Sequence, residues 1–317
     1  MMTKIPNTQH DVIVIGAGAA GLSAALVLAR ARADVLVIDA GEPRNAPAAH
    51  MHGFVSRDGM PPAEFLATGR REVSSYGGTI ESSTVATIDR REDGGFDVAL
   101  AGAAVHSARA LLIATGLKDD LPEIPGVRER WGSLVHHCPY CHGREVSDQL
   151  IGVIGGLARE MSLKQAGLLR RYSDRVDFIT NGIDLTTVER HRLEAFGVRI
   201  VDGAVSRLAG EADVQVDITL TDGQTVRCDA VFIAPVPLPT DDLLRSLGCA
   251  ADPTTGLIAV DAAGQTSQPG IWAAGNVVTP SAQVITAAGA GSASAIAING
   301  WLLQRDLDTA SAGRPTT

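Results

Sequence analysis

The segment Gly16-Ala-Gly18-Ala-Ala20-Gly21 lies between a run that reads as a buried strand, Asp11 to Ile15, and one that reads as a helix with small residues at its start, Ala19 to Arg32. A second buried strand follows at Asp34 to Asp39, which makes a β-α-β unit. Each part of the turn has a task. Gly16 permits a tight turn, Gly18 lets backbone approach a pyrophosphate, Gly21 lets helix pack on strand, and Asp39 accepts a bond from a ribose hydroxyl. The helix start aims unpaired N–H groups at the phosphate. Such an opening constrains the chain to an α/β fold built around a dinucleotide.

A helix is expected from Pro62 to Tyr76, with proline in its first turn, followed by strands at Thr84 to Asp89, Phe96 to Leu100 and Ala110 to Thr115. Leu121-Pro-Glu-Ile-Pro-Gly126 then breaks both helix and strand ladders and reads as a linker. Beyond it the pattern restarts: strand Leu150 to Ile154, helix Ala158 to Tyr172, strand Arg175 to Ile179, a meander strand at Val214 to Leu220, and a closing strand at Asp229 to Ala234. Leu111-Leu-Ile-Ala-Thr-Gly116 and Val231-Phe-Ile-Ala-Pro-Val236 end the two halves alike, so one plan is used twice. After a second linker, Pro235 to Pro239, the tail holds a strand, Gly270 to Ala274, and a helix, Gln283 to Gln304, too little for a domain. The economical assembly returns it to the first unit, giving a discontinuous domain of residues 1–119 and 245–317 with residues 120–244 inserted. A length of 317 residues agrees, at roughly 150 residues per domain.

The 36 acidic side chains outnumber the 27 basic ones for a net charge of −9, which argues against nucleic acid or an anionic membrane surface as partner. No stretch approaches the ~20 strongly apolar residues of a membrane span. The polar Met1 to His10 lacks the sections of a signal peptide, so a cytoplasmic location is expected.

Four cysteines are too few for a disulfide scaffold, yet Cys138 and Cys141 stand three apart within His136-His-Cys-Pro-Tyr-Cys-His142. Thiols at this spacing can close a small disulfide, and a neighbouring imidazole can take or return their protons. Zinc is the rival reading, but it normally needs a second ligand pair, and Cys228 and Cys249 are single and distant. A redox dithiol is therefore expected, with no metal, and with Cys228 and Cys249 as buried structural residues. Glutaredoxins share Cys-Pro-Tyr-Cys, in far shorter chains without a dinucleotide fold.

Ala274-Gly-Asn-Val277 after the tail strand, and Gln283-Val-Ile-Thr-Ala-Ala-Gly289 opening the tail helix, complete a pattern that resembles the low-molecular-weight thioredoxin reductases along nearly the whole chain. The resemblance implies two Rossmann-like, three-layer ββα domains, the second inserted in the first, and a homodimer. It implies FAD held by Gly16, Gly18, Ala20, Gly21, Asp39, Asn45, Val85, Thr115, Gly116, Gly275, Asn276, Gln283 and Val284. Asn276 stands where the family usually has aspartate on the ribityl chain; asparagine still accepts that bond but carries no charge. The helix starting near Gln283 is expected to aim its positive end at the flavin. By the same resemblance the stretch Pro43 to Phe54 wraps the flavin, where His50 and His52 could face the redox centre. Cys141 would lie nearest the flavin and Cys138 would meet substrate. His142 replaces the family's acid/base aspartate, with His137 as a further candidate, and this substitution resembles the flavin-dependent dithiol oxidases.

The inserted half departs from a reductase. Gly155-Gly-Leu-Ala-Arg-Glu160 has Leu157 and Glu160 where a nucleotide turn wants glycine and a small residue. Thr180-Asn-Gly182 replaces the family's His-Arg-Arg clamp for a 2′-phosphate, and Pro235 stands where the first half has Thr115-Gly116; Arg159 or Arg175 would have to compensate. The expected activity is FAD-dependent oxidation of a small-molecule or small-protein dithiol, with electrons passing through Cys138–Cys141 and FAD to oxygen. The alternatives are an NAD(P)H- or ferredoxin-dependent disulfide reductase of the thioredoxin reductase type and, from another class, a non-enzymatic redox sensor.

Overall fold

In the computed structural model, the described residues are 9–211 and 214–312; the polar stretch Met1 to Thr8 considered above lies outside them. They divide into two compact units. The first holds the described residues up to Ala46, Pro62–Lys118 and those from Pro239 on, and the second holds Pro47–Pro61 and Asp119–Leu238. Three assignments differ from those expected: residues 47–61 and Asp119 join the second unit, and residues 239–244 stay with the first.

The first unit begins with β1 (Gln9–Ile15), α1 (Ala19–Arg30), β2 (Val35–Asp39), α2 (Pro62–Ser75), β3 (Thr79–Ser82), β4 (Val85–Arg90), β5 (Phe96–Leu100) and β6 (Val105–Ile113), and β7 (Leu117–Asp120) leads out of it. Strands run in the order β3-β2-β1-β6-β5-β4; the first four are parallel, and β4, β5 and β6 form an antiparallel meander. Strands β1 and β2 are continuous apolar runs, because both faces of the parallel part are covered. Val12, Val14, Val35 and Val37 face helices through Leu22 and Leu28, while Ile13, Ile15, Leu36 and Ile38 face the meander through Phe96 and Val98.

The second unit repeats the plan with β8 (Val135–His136), α3 (Pro139–His142), β9 (Ile151–Ile154), α4 (Arg159–Leu169), β10 (Val176–Ile179), α5 (Thr187–Ala195), β11 (Val198–Val201), β12 (Val205–Ala209), β13 (Val216–Leu220), β14 (Thr225–Cys228) and β15 (Ala230–Ile233). Its parallel sheet has the order β11-β10-β9-β15-β8, with β12-β13-β14 as a separate antiparallel meander. Phe178, Phe232 and Leu169 fill the helix side, and Ile218, Val216 and Cys228 the meander side. The expected three-layer ββα architecture, used twice, is present.

The segment expected as a second linker is a strand, β16 (Val236–Pro239). Its prolines are tolerated because it sits in a two-stranded ladder, where one side of each strand needs no partner. The tail adds α6 (Asp242–Ser246), β17 (Ile271–Ala273) and α7 (Val284–Ala312). Strand β17 pairs in parallel with β6, which returns the tail to the first sheet. Helix α7 lies on α1 through small residues: a β-carbon on Gly291 would stand 2.0 Å from the Ala20 carbonyl oxygen. Among the described residues no helix is long and apolar enough to cross a membrane.

Candidate active site

Adjacent parallel strands of the first unit end together. The Ser83 N–H donates to Asp39 O (3.0 Å), Gly16 N–H to Ile38 O (2.8 Å), Ala114 N–H to Ile15 O (2.8 Å) and Ala274 N–H to Ile113 O (3.1 Å), so the four following loops open on one carboxyl edge of the sheet. Ligands of open α/β sheets bind at such an edge. Gly16, at φ +102°, faces Ala114 so closely that a β-carbon would stand 2.4 Å from its carbonyl oxygen, whereas one on Gly18 would meet nothing within 4 Å. Gly18 caps α1 without any side-chain bond, leaving the first N–H groups of the helix for an anion. This turn, open above Gly18 and closed behind Gly16 and Gly21, fits a dinucleotide pyrophosphate.

The other expected cofactor residues of this unit lie on or beside that edge. Asp39 accepts from Ala17 N–H (3.1 Å) and pairs with Arg70, a partner that sequence reasoning missed; each carboxylate oxygen keeps a further lone pair for a hydroxyl. Thr115 Oγ1 donates to Thr240 O (2.6 Å), and the Thr240 N–H returns a bond to Gly116 O (3.0 Å). Gly275, at φ +83°, brings its turn against Ala20. Asn276 Nδ2 donates to Thr279 O, Pro280 O and Ala282 O (3.1, 3.2 and 2.9 Å), which folds the loop leading to Gln283 and Val284 at the start of α7. An aspartate has no hydrogen with which to hold three carbonyls, so the residue does more here than keep an acceptor. Asn45 is half-buried just after Pro43, and Val85 is half-buried at the start of β4.

In the second unit Cys138 and Cys141 are joined as a disulfide with their Cα atoms 5.2 Å apart. Cys138 precedes the short α3, Pro139 opens it, and Cys141 and His142 N–H both donate to Cys138 O (3.1 Å each). With the sulfurs bonded to each other, neither offers a thiolate to zinc, and among the described residues no group of three His, Cys, Asp or Glu side chains is placed to hold a metal.

His136 ends β8 and His137 lies just beyond it, and their rings have different neighbours. His136, not His137, stacks on His142, with ring centroids 4.3 Å apart and planes at 19°. His137 stacks on Trp131 (5.6 Å, 24°). Its carbonyl accepts from Gln165 Nε2, whose second acceptor is Ile233 O (2.9 Å), so a buried amide of α4 ties the peptide before Cys138 to the end of β15. Burial, with the neighbouring His142 and His137 rings, pushes His136 down to about 3, so it is neutral at physiological pH. Burial also lowers His142, opposed by the Glu145 carboxylate and reinforced by His52. Loop residue His52 faces Glu145 with Nε2 (3.5 Å) and Asp58 with Nδ1 (3.4 Å), and His50 lies beside it, ring centroids 6.5 Å apart. Sequence reasoning missed His136, Glu145 and Gln165; the signal for Glu145 is its place one helical turn after His142.

The turn after β9 differs from the turn after β1. Gly155 still packs on Thr180 O and α4, like α1, starts without a side-chain cap, but Leu157 is 93% exposed and Glu160 stands in the first turn of α4. Arg159 is engaged: it forms a two-pronged pair with Glu189 (2.8 and 2.7 Å) and donates to Asp184 O (3.0 Å). Asn181 spends its amide on Gly155 O (2.8 Å) and Val205 N–H (2.9 Å), and Arg175 donates to Asp148 O (2.6 Å). Cys228 and Cys249 are buried free thiols; burial raises both, Cys228 to about 12.

The model of the pyridine nucleotide-disulphide oxidoreductase family matches residues 10–291. A curated relative, thioredoxin reductase sirT of Leptosphaeria maculans, is 28% identical over 312 residues, covering 94% of this chain and 95% of that one. Thioredoxin reductase of Listeria innocua is 30% identical over 300 residues, covering 89% and 90%. The crystal structure of HlmI superposes with a TM-score of 0.92 at 48% identity, covering 96% of each chain. With the pyrophosphate turn on one unit and the dithiol on the other, these matches span most of the chain: it belongs to the pyridine nucleotide-disulphide oxidoreductase family, as an FAD-dependent thiol–disulfide oxidoreductase.

Proposed function

We propose that the protein oxidises a small dithiol, of a small molecule or a small protein, to its disulfide, with oxygen as the final acceptor. The observation that carries this direction is the turn after β9: Leu157 projects from it, and Arg159 is bound to Glu189 and Asp184 instead of waiting for a phosphate. In the forward half-reaction a substrate thiolate attacks one sulfur of the Cys138–Cys141 bond, the second substrate thiol displaces the first cysteine, and the substrate leaves as a disulfide. Two electrons and two protons then reside on Cys138 and Cys141. His142, one residue from Cys141, takes a thiol proton and returns it, and its lowered proton affinity leaves the ring free to accept at neutral pH. Bound FAD supplies the two-electron acceptor that restores the disulfide, with hydrogen peroxide as the reduced oxygen product.

The names of the relatives favour the opposite direction. Both sirT and the Listeria protein are called thioredoxin reductases, and a reductase would draw electrons from NAD(P)H or ferredoxin to open a thioredoxin-type disulfide. A homodimer belongs to either reading and is tested by sedimentation. One experiment separates the directions: anaerobic mixing of the purified yellow protein with NADPH, NADH or a small dithiol while following flavin absorbance. Rapid bleaching by dithiol alone, followed by oxygen consumption on aeration, supports oxidation. Rapid stoichiometric bleaching at micromolar NADPH establishes the reductase.

A further inference from the structure

His142 is half-buried, with unlike surroundings on its two sides. On one side its ring is covered by His136, and its Nδ1 is buried with no hydrogen-bond partner. On the other, the turn of α3 runs on past its end, with the Val146 N–H donating to His142 O (3.4 Å), which places Glu145 on the same face as His142 one turn later. The Glu145 carboxylate meets His52 Nε2 (3.5 Å), and His52 Nδ1 meets Asp58 (3.4 Å). Asp58 is itself fixed by the Gly53 N–H (2.8 Å). A series of contacts, Asp58 to His52 to Glu145, thus leads from an exposed loop to the turn that carries His142.

We propose that Glu145 and His52 are positioning residues for His142: Glu145 draws a proton onto the ring, and His52, tethered to Asp58, governs how much of the Glu145 charge the ring feels. The proposal rests on His142 being the acid/base of the reading above. The other groups around the motif do not compete for this role. His136 is neutral at physiological pH, Gln165 from α4 is an amide, Tyr172 lies with its ring against Gly143, and the bonded cysteines carry no charge. The two charges that act on His142 are Glu145, which raises its proton affinity, and His52, which lowers it.

Opposite signs supply the test. In the intact FAD-loaded protein without substrate, the His142 ring resonance is followed by NMR against pH and assigned by its loss in His142→Asn. Glu145→Gln should lower the His142 midpoint by about half a pH unit or more, and His52→Gln should raise it, because a neighbouring charge acts on a part-buried ring at that scale. A purely structural role would leave both midpoints unchanged or move them together, and either result overturns the proposal. Should Glu145→Gln fail to fold, the His52 arm decides alone: a rise supports the proposal and an unchanged midpoint overturns it. The measurement involves no substrate, so failure of the dithiol oxidase reading would show in the flavin assay and leave these midpoints as they are.

Discussion

Two glycines of α7 make opposite predictions for the same substitution. A β-carbon on Gly291 would lie 2.0 Å from Ala20 O and 2.7 Å from Ala20 C, both backbone atoms of α1, whereas one on Gly300 would meet nothing within 4 Å. Exchanging an exposed helix-interior glycine for alanine stabilises by about 0.5–1 kcal/mol, and Gly300→Ala should show that gain. At Gly291 the same gain is opposed by a carbon–oxygen contact short by roughly 1.3 Å of an ordinary one at about 3.3 Å. Backbone cannot rotate away as a side chain can, so the two helices must part. Overpacking of this kind costs about 1–3 kcal/mol, and the upper half of that range leaves Gly291→Ala less stable than wild type by about 1–2 kcal/mol. Because the atom struck belongs to Ala20, in the first turn of α1, flavin should also be lost earlier in the transition. Urea unfolding followed by circular dichroism and by free flavin fluorescence measures both. A Gly291→Ala midpoint equal to or above that of Gly300→Ala would refute the reasoning.

Three further outcomes are expected. Arg159→Ala should leave the rate of flavin reduction by NADPH unchanged, since the guanidinium is held by Glu189; a large fall in stopped-flow rate would show that it serves the nucleotide. His136 titrates at about 3 when folded against about 6.5 unfolded, so the unfolded chain gains the proton first and stability falls as pH drops from about 6.5 towards 3, by an amount on the order of 3–5 kcal/mol; His136→Phe should flatten that slope in denaturant midpoints measured across the range. After reduction, the native protein should offer Cys138 and Cys141 to a thiol reagent quickly, with Cys228 and Cys249 reacting only in denaturant, because burial raises both.

The elements that the sequence announces are those that bury a full side. Strands β1, β2, β6, β9, β10 and β15 are apolar runs sandwiched between layers, and their expected positions lie within a few residues of the observed ones, although β6 begins earlier, at Val105. Helix α5 escaped notice because none of its residues is buried, so no apolar stripe marks it; the readable sign was the Thr186–Glu189 capping box. Strand β8 is two residues long and takes its pairing from β15, a long-range partner no local pattern encodes. His137 was favoured over His136 because adjacent histidines are indistinguishable by type, and only the tertiary placement of the two rings tells which one meets His142. Asp39 was legible as an acceptor, but its Arg70 partner comes from α2, whose packing angle the sequence does not specify.

The chain visits the second unit twice, first through Pro47–Pro61 and later through Asp119–Leu238. The early visit is anchored: a β-carbon on Gly132 would stand 2.6 Å from Pro47, and Met51 is buried. An exchange of continuous gene segments between related proteins would therefore transplant the dithiol while leaving behind His52 and the loop that carries it. Inheritance of this unit requires two separated stretches of DNA to travel together, and a chimera joined only near residues 119 and 238 would carry the sulfurs of one parent beside the histidine loop of the other.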